Sequence, residues 1–237
     1  SARISYLIKH KQVVPSSILA LTFTNEAAKV LSERLIDDIG DRGAYVTVCT
    51  FHSFAQNQIM CNYSKIGYLQ KPKLVNSADL YFLFSKNFND FSFLRSEEIS
   101  RDPIKSFYSF EKMFAAFRYN LFTLKELDRF KDLELKKISN CKENSEIEQS
   151  NQLIDMLDAF PVYQEWKKKL SWIDYGDMIY NLWKLINNES SILKELQSQY
   201  EHIIIDEFQD NNYALSMIVE QIAKPENNIM VVGDDDQ

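Results

Sequence analysis

Three consecutive isoleucines followed at once by two acids constrain this chain more than any other segment: His202-Ile203-Ile204-Ile205-Asp206-Glu207-Phe208-Gln209-Asp210. The apolar run is too short for a helix and is β-branched throughout, so it reads as a strand buried on both faces. Such strands belong to parallel sheets, and ligands gather off their carboxyl ends. Asp206 and Glu207 stand at that end. An acidic pair there can hold Mg²⁺ and orient an attacking water on a nucleoside triphosphate. The plainer reading of the same residues is a strand capped by an ordinary acidic turn.

Strand and helix signals alternate on either side of a long helical stretch. Ile18 to Phe23 reads as a buried strand, and Thr24 or Asn25 can cap the helix after it. That helix is expected to run to about Ile39, with Ala28, Leu31, Leu35 and Ile39 on one face and Gly40 as a left-handed end. Tyr45 to Cys49 reads as a second strand and His52 to Tyr63 as a second helix. Near the other end, helices are expected over 175–186, 192–200 and 212–223. Ile229 to Val232 reads as another buried strand, delivering Gly233 and Asp234 to the same sheet edge. Repeated strand-to-helix units imply a parallel sheet with right-handed crossovers.

Residues 78–170 carry helical spacing and almost no strand signal. Aromatics crowd the first part of this stretch, among them Phe82, Phe84, Phe93, Phe107, Tyr108, Phe110 and Phe114. Interleaved with lysine and arginine they could stack on bases, but aromatics dominate core burial and a small helical core is the simpler reading. Lys131 to Ser150 reads as a surface helix followed by a loop, and Lys167-Lys168-Lys169 as a solvated face or a phosphate contact. The expected architecture is an α/β domain, 1–77 and 171–237, interrupted by an all-helical insert over 78–170.

Composition narrows the partners. A net charge of −7 over 237 residues excludes a surface coated in positive charge, so any nucleic-acid path is a local groove. Cys49, Cys61 and Cys141 show neither metal-ligand spacing nor a disulfide framework, and read as reduced thiols of a cytoplasmic protein. No apolar run approaches the roughly 20 residues that span a bilayer, so no membrane partner is expected. Helical spacing from Ile4 onward and the stop at Gly233-Asp234-Asp235-Asp236-Gln237 read as cuts through a larger protein.

Four segments are expected to meet at the carboxyl edge of the sheet. Thr22-Phe23-Thr24-Asn25 offers hydroxyls, helix-start amides and a ring that can stack on a base. Thr50-Phe51-His52-Ser53 can hydrogen-bond a sugar–phosphate backbone. Asp206-Glu207 is the third segment. In the fourth, Gly233 permits a tight turn, Asp234 opens an acidic run, and Gln237 can reach a γ-phosphate or its attacking water.

In wording and order these segments resemble the UvrD/Rep family of superfamily-one DNA helicases, with Trp172-Ile173-Asp174-Tyr175-Gly176-Asp177-Met178 similar to that family's acidic-aromatic motif. The resemblance implies a RecA-like domain holding a helical subdomain, ATP and Mg²⁺ as cofactors, and single-stranded DNA and duplex junctions as partners. By resemblance Asp206 would bind the metal and Glu207 activate water. Gln237 would sense the γ-phosphate, with Asp234 beside it at the nucleotide. Thr22, Phe23, Thr24, Asn25, Thr50, Phe51, His52, Ser53 and Tyr175 would touch DNA, and movement would run 3′ to 5′.

Tyr175 stands where the family usually has phenylalanine, Glu26 where it has lysine and Asn211 where it has threonine. The family's phosphate loop would lie just before Ser1, and a second motor domain would follow. The piece by itself is therefore expected to bind ATP poorly and to be inactive. The competing reading is a helicase-like scaffold that docks a protein partner through its aromatic insert. A phosphate loop upstream would favour the enzyme. A metal-dependent nuclease built on Asp206, Glu207 and Asp210 is a third reading, weakened by the single acidic cluster.

Overall fold

The fold was analysed in a computed structural model that describes residues 1–91 and 94–234. Contacts divide the chain into two compact units, 1–67 with 178–237, and 68–177.

The first unit is built on a four-stranded parallel sheet in the order β2-β1-β5-β6, with β1 Ile18–Thr22, β2 Thr47–Thr50, β5 His202–Ile205 and β6 Ile229–Val231. Register aligns Thr22 with Thr50, Leu21 with Ile205, and Ile205 with Val231, so all four carboxyl ends lie along one edge. Every residue of β1 is buried, four apolar residues and Thr22, as a central strand covered on both faces requires. Helices α1 Ala2–His10 and α2 Asn25–Ile39 supply Ile4, Leu7, Ile8, Leu35 and Ile39 to a core shared with Ile18, Ala20 and Val46. The remaining helices of this unit are α3 Phe51–Asn62, α10 Ser190–Gln199, α11 Tyr213–Ala223 and most of α9 Tyr175–Asn188.

Four expectations need correction here. β6 is not buried: Ile229, Met230, Val231 and Val232 are 37–48% exposed. It ends the strand order with β5 as its one neighbour among the described residues, and an apolar run by itself does not reveal whether its faces are covered. Ile204 is only half-buried between the buried Ile203 and Ile205. β2 begins at Thr47 rather than Tyr45, because residues 40–45 coil into a 3₁₀ turn. Gly40 does end α2 at positive φ, but its ψ of −149° lies outside the left-handed helical basin, in a region open essentially to glycine alone.

The second unit is helical around a short parallel ribbon, β3 Lys73–Leu74 with β4 Trp172–Ile173. The pairing extends through Lys73 N–H to Ser171 O (2.7 Å) and Val75 N–H to Ile173 O (2.9 Å). Between the strands run α4 Ser77–Asn87, α5 Glu97–Arg101, α6 Pro103–Tyr119, α7 Leu124–Asn140 and α8 Asn144–Lys169. Their shared core is aromatic: Phe84, Phe107, Phe110, Phe114 and Phe160 are all at most 3% exposed and meet edge-on or tilted. Those rings are therefore packing groups, whereas Phe82 and Tyr108 remain outside. Phe93 lies outside the described residues.

The loop expected before Ser150 is instead the first two turns of α8. Packing against α7 overrides the polar composition. Ser150 Oγ donates to Glu134 (2.6 Å), and Lys131 pairs with Asp158 further along. No helix among the described residues is long and apolar enough to cross a membrane.

Candidate functional site

The acidic turn after β5 is fixed by backbone pairing on both sides. Asp206 N–H donates to Leu21 O (3.0 Å), continuing the ladder with β1. Val232 N–H donates to Ile205 O (2.8 Å) and Phe208 N–H to Val232 O (2.9 Å), continuing the ladder with β6. Between these bonds Glu207 adopts φ 54°, ψ 49°, a left-handed conformation that a non-glycine residue holds only when its surroundings dictate it. Both carboxylates are half-buried and neither forms an ion pair with a described residue. Gln209 Nε2 donates to Glu207 Oε2 (2.5 Å), and Gln209 Oε1 accepts from Asp234 N–H (3.1 Å). Glu207 and the Asp234 backbone are thus joined through one side chain, with Asp206 next to Glu207 in the chain. Gln237, with Asp235 and Asp236, lies outside the described residues.

On the other flank of β5, Thr22 is buried and its hydroxyl donates to Thr24 O (3.0 Å), closing the turn that presents Phe23. Thr24 caps α2 by accepting from Ala27 N–H (3.1 Å), and Phe23, Thr24 and Asn25 are exposed. One strand further out, Thr50 caps α3 by accepting from Ser53 N–H (3.1 Å) and donates to Ser53 Oγ (2.9 Å). Thr22, Thr50 and Phe51 are buried, the two threonine hydroxyls bracing these turns, while His52 and Ser53 are half-buried. Burial lowers the His52 imidazole below its usual range and pushes the Cys49 thiol up to about 11.

Tyr175 belongs to the second unit, where it opens α9 and is 57% exposed. A buried charge cluster holds its turn. Asp174 and Asp177 exchange bonds with each other's backbone N–H (2.9 and 3.0 Å). Arg118 Nη1 reaches both carboxylates at 2.9 Å, and Lys167 Nζ reaches them at 2.8 and 2.6 Å. Burial alone would raise the Asp174 carboxyl, but Lys167 and Arg118 reverse this and hold it below the usual carboxylate range. Gly176 lies so close to Arg118 that a Cβ there would stand 2.7 Å from Nε.

Lys167 is therefore neither a solvated lysine nor a phosphate contact, because its side chain is 1% exposed and its ammonium sits between two aspartates. Sequence reasoning missed this cluster and the Gln209 bridge. The Asp-x-x-Asp spacing that opens α9 was the one available signal for the cluster.

Among the described residues no group of three His, Cys, Asp or Glu side chains could hold a metal. Mg²⁺ does not need one, since it takes one or two carboxylates and completes its shell with water and phosphate oxygens. A half-exposed, unpaired Asp206 at a strand end fits that role.

A parallel sheet that gathers hydroxyl turns and an acidic pair at one edge, with a helical unit inserted in the chain, matches the architecture of a RecA-like α/β domain. Within that class the chain belongs to the UvrD/REP helicase N-terminal domain family, whose model matches residues 1–237. It is 30% identical to a probable DNA helicase II homolog of Mycoplasma genitalium, over 99% of this chain and 31% of that protein. It is 28% identical to the ATP-dependent DNA helicase PcrA of Bacillus subtilis, over 99% of this chain and 29% of that protein. PcrA of Staphylococcus aureus is 26% identical, again over 99% of this chain and 29% of its own length. The chain thus spans about three tenths of the length of these relatives.

Proposed function

We propose that this chain is the first motor domain of an ATP-dependent DNA helicase or translocase that moves 3′ to 5′ along single-stranded DNA and acts at duplex junctions in the cytoplasm. The reading rests chiefly on one observation, the placement of Asp206-Glu207 between the Phe23 turn and the Gly233-Asp234 turn on a single sheet edge. It is supported by family membership over the whole chain and by relatives named as ATP-dependent DNA helicases.

In this reading Asp206 holds Mg²⁺, which when bound neutralises charge on the nucleotide phosphates. Glu207 accepts a proton from the attacking water, and Asp234 with Gln237 lines the nucleotide side. The exposed Phe23 stacks on a base, with Thr24, Asn25, His52 and Ser53 supplying polar contacts to the strand. Thr22, Thr50 and Phe51 hold those turns in shape. Tyr175 offers a second exposed ring, and residues 78–170 form the inserted subdomain of the motor.

The test is Glu207→Gln in the whole protein. ATP turnover should fall at least about 100-fold, the scale of losing a positioned base, with nucleotide binding retained. Turnover near the unsubstituted rate would refute the assignment.

A further inference from the structure

Gln209 is the side chain of the acidic edge that the proposed chemistry leaves without a role. Both ends of its amide are engaged: the N–H side holds Glu207 Oε2 at 2.5 Å, and the oxygen accepts from Asp234 N–H at 3.1 Å. Two further observations show how tightly the neighbourhood is built around it. Glu207 sits at φ 54° in a turn closed by Asp210 N–H to Glu207 O (3.1 Å), so the backbone of the acid is itself constrained. Gly233 presses against Gln209, and a Cβ there would stand 2.7 Å from Oε1 and 3.4 Å from the Gln209 backbone nitrogen. A side chain at position 233 would have to displace the Gln209 amide from its place.

We infer that Gln209 is a positioning residue for Glu207. Its amide N–H fixes one carboxylate oxygen, which leaves Oε1 as the oxygen that can accept from a water. Its amide oxygen ties that geometry to the first residues after β6. The orientation of the base and the conformation of the Gly233-Asp234 turn are then set together by one planar group. An alanine cannot do this, and a glutamate can do only half, since it keeps an oxygen toward Asp234 but places a second carboxyl group against Glu207.

The inference rests on Glu207 serving as the proposed base, and the experiment separates the two. ATP turnover, KM for ATP and urea unfolding are measured in the whole protein for Gln209→Ala, Gln209→Glu, Glu207→Gln and the double variant Glu207→Gln/Gln209→Ala. Gln209→Ala should lower kcat by about 10- to 100-fold, the effect of a misplaced catalytic group, while KM and the unfolding midpoint stay near the unsubstituted values. Gln209→Glu should lose at least as much. The double variant should turn over no more slowly than Glu207→Gln alone, because the bridge then has no base to aim.

Full kcat in Gln209→Ala beside an inactive Glu207→Gln would overturn the positioning role and leave the base assignment standing. Equal losses in kcat, KM and stability would overturn it in favour of a purely structural part. Normal turnover in Glu207→Gln would remove the base itself, and the inference with it.

Discussion

The turn after β4 and the turn after β5 are written in similar letters, an apolar strand followed at once by closely spaced carboxylates, yet the protein treats them in opposite ways. Asp174 and Asp177 are 7% and 3% exposed and share two buried cations, which leaves no charge to spare. Asp206 and Glu207 are half-buried, have no ion-pair partner among the described residues, and are restrained by backbone ladders and a neutral amide. A buried acid that has met its counter-charges builds structure. One held in shape but left electrostatically unanswered is available to a metal or a reacting water. The difference lies in what the fold brings alongside, Arg118 from α6 and Lys167 from α8 in one case and Gln209 from the turn itself in the other.

The comparison breaks first at Lys167. Lys167→Met should destabilise the second unit by about 3–5 kcal/mol, the cost of stranding a buried charge. Urea unfolding read by fluorescence of Trp166 and Trp172 checks this, and Lys167→Arg, which keeps the charge, should lose less. The matched substitution at the other turn, Glu207→Gln, should move stability by no more than about 0.5 kcal/mol.

Acid supplies a second and smaller contrast. The Asp174 carboxyl is held below its ordinary range, so its contribution is fully present above the unfolded-state value of about 3.9 and is lost as pH falls through the native one. Unfolding midpoints followed from pH 6 downward should therefore drop through the carboxylate range. That slope should flatten in Asp174→Asn, measured against its own lower baseline.

The exposed edge should answer to ligand instead of denaturant. Phe23→Ala should weaken single-stranded DNA binding by about 1–3 kcal/mol, the worth of one base–ring stack, with little change in stability. Fluorescence anisotropy of a labelled oligonucleotide gives the number, and unchanged affinity would remove Phe23 from the DNA path. A modest loss is expected at Thr24→Ala, about 1 kcal/mol of stability from the lost cap of α2.

The sequence was legible where chemistry is local. The cap at Thr24, the span of β1 and the helix after it follow from neighbouring residues, and the common edge of the sheet follows from strand-to-helix alternation. It was illegible where the outcome depends on distant partners. Nothing near Lys167 announces Asp174 and Asp177, and nothing in Ile229 to Val232 says that this strand's faces are half open. At Asn144 to Ser150 the local composition pointed away from the answer, because contacts with α7 make a helix of it. Family resemblance supplied roles for Asp206 and Glu207, but it assigned none to Gln209, whose two hydrogen bonds are visible only in the structure.

The two-residue ribbon between β3 and β4 makes the entry and exit of the aromatic unit hydrogen-bonded neighbours. A segment whose ends already touch adds little to the entropy of closing the host chain, whatever its length. Evolution could lengthen, shorten or exchange what lies between these strands while the four-stranded sheet stayed as it was, and a protein engineer could graft a different module at the same seam.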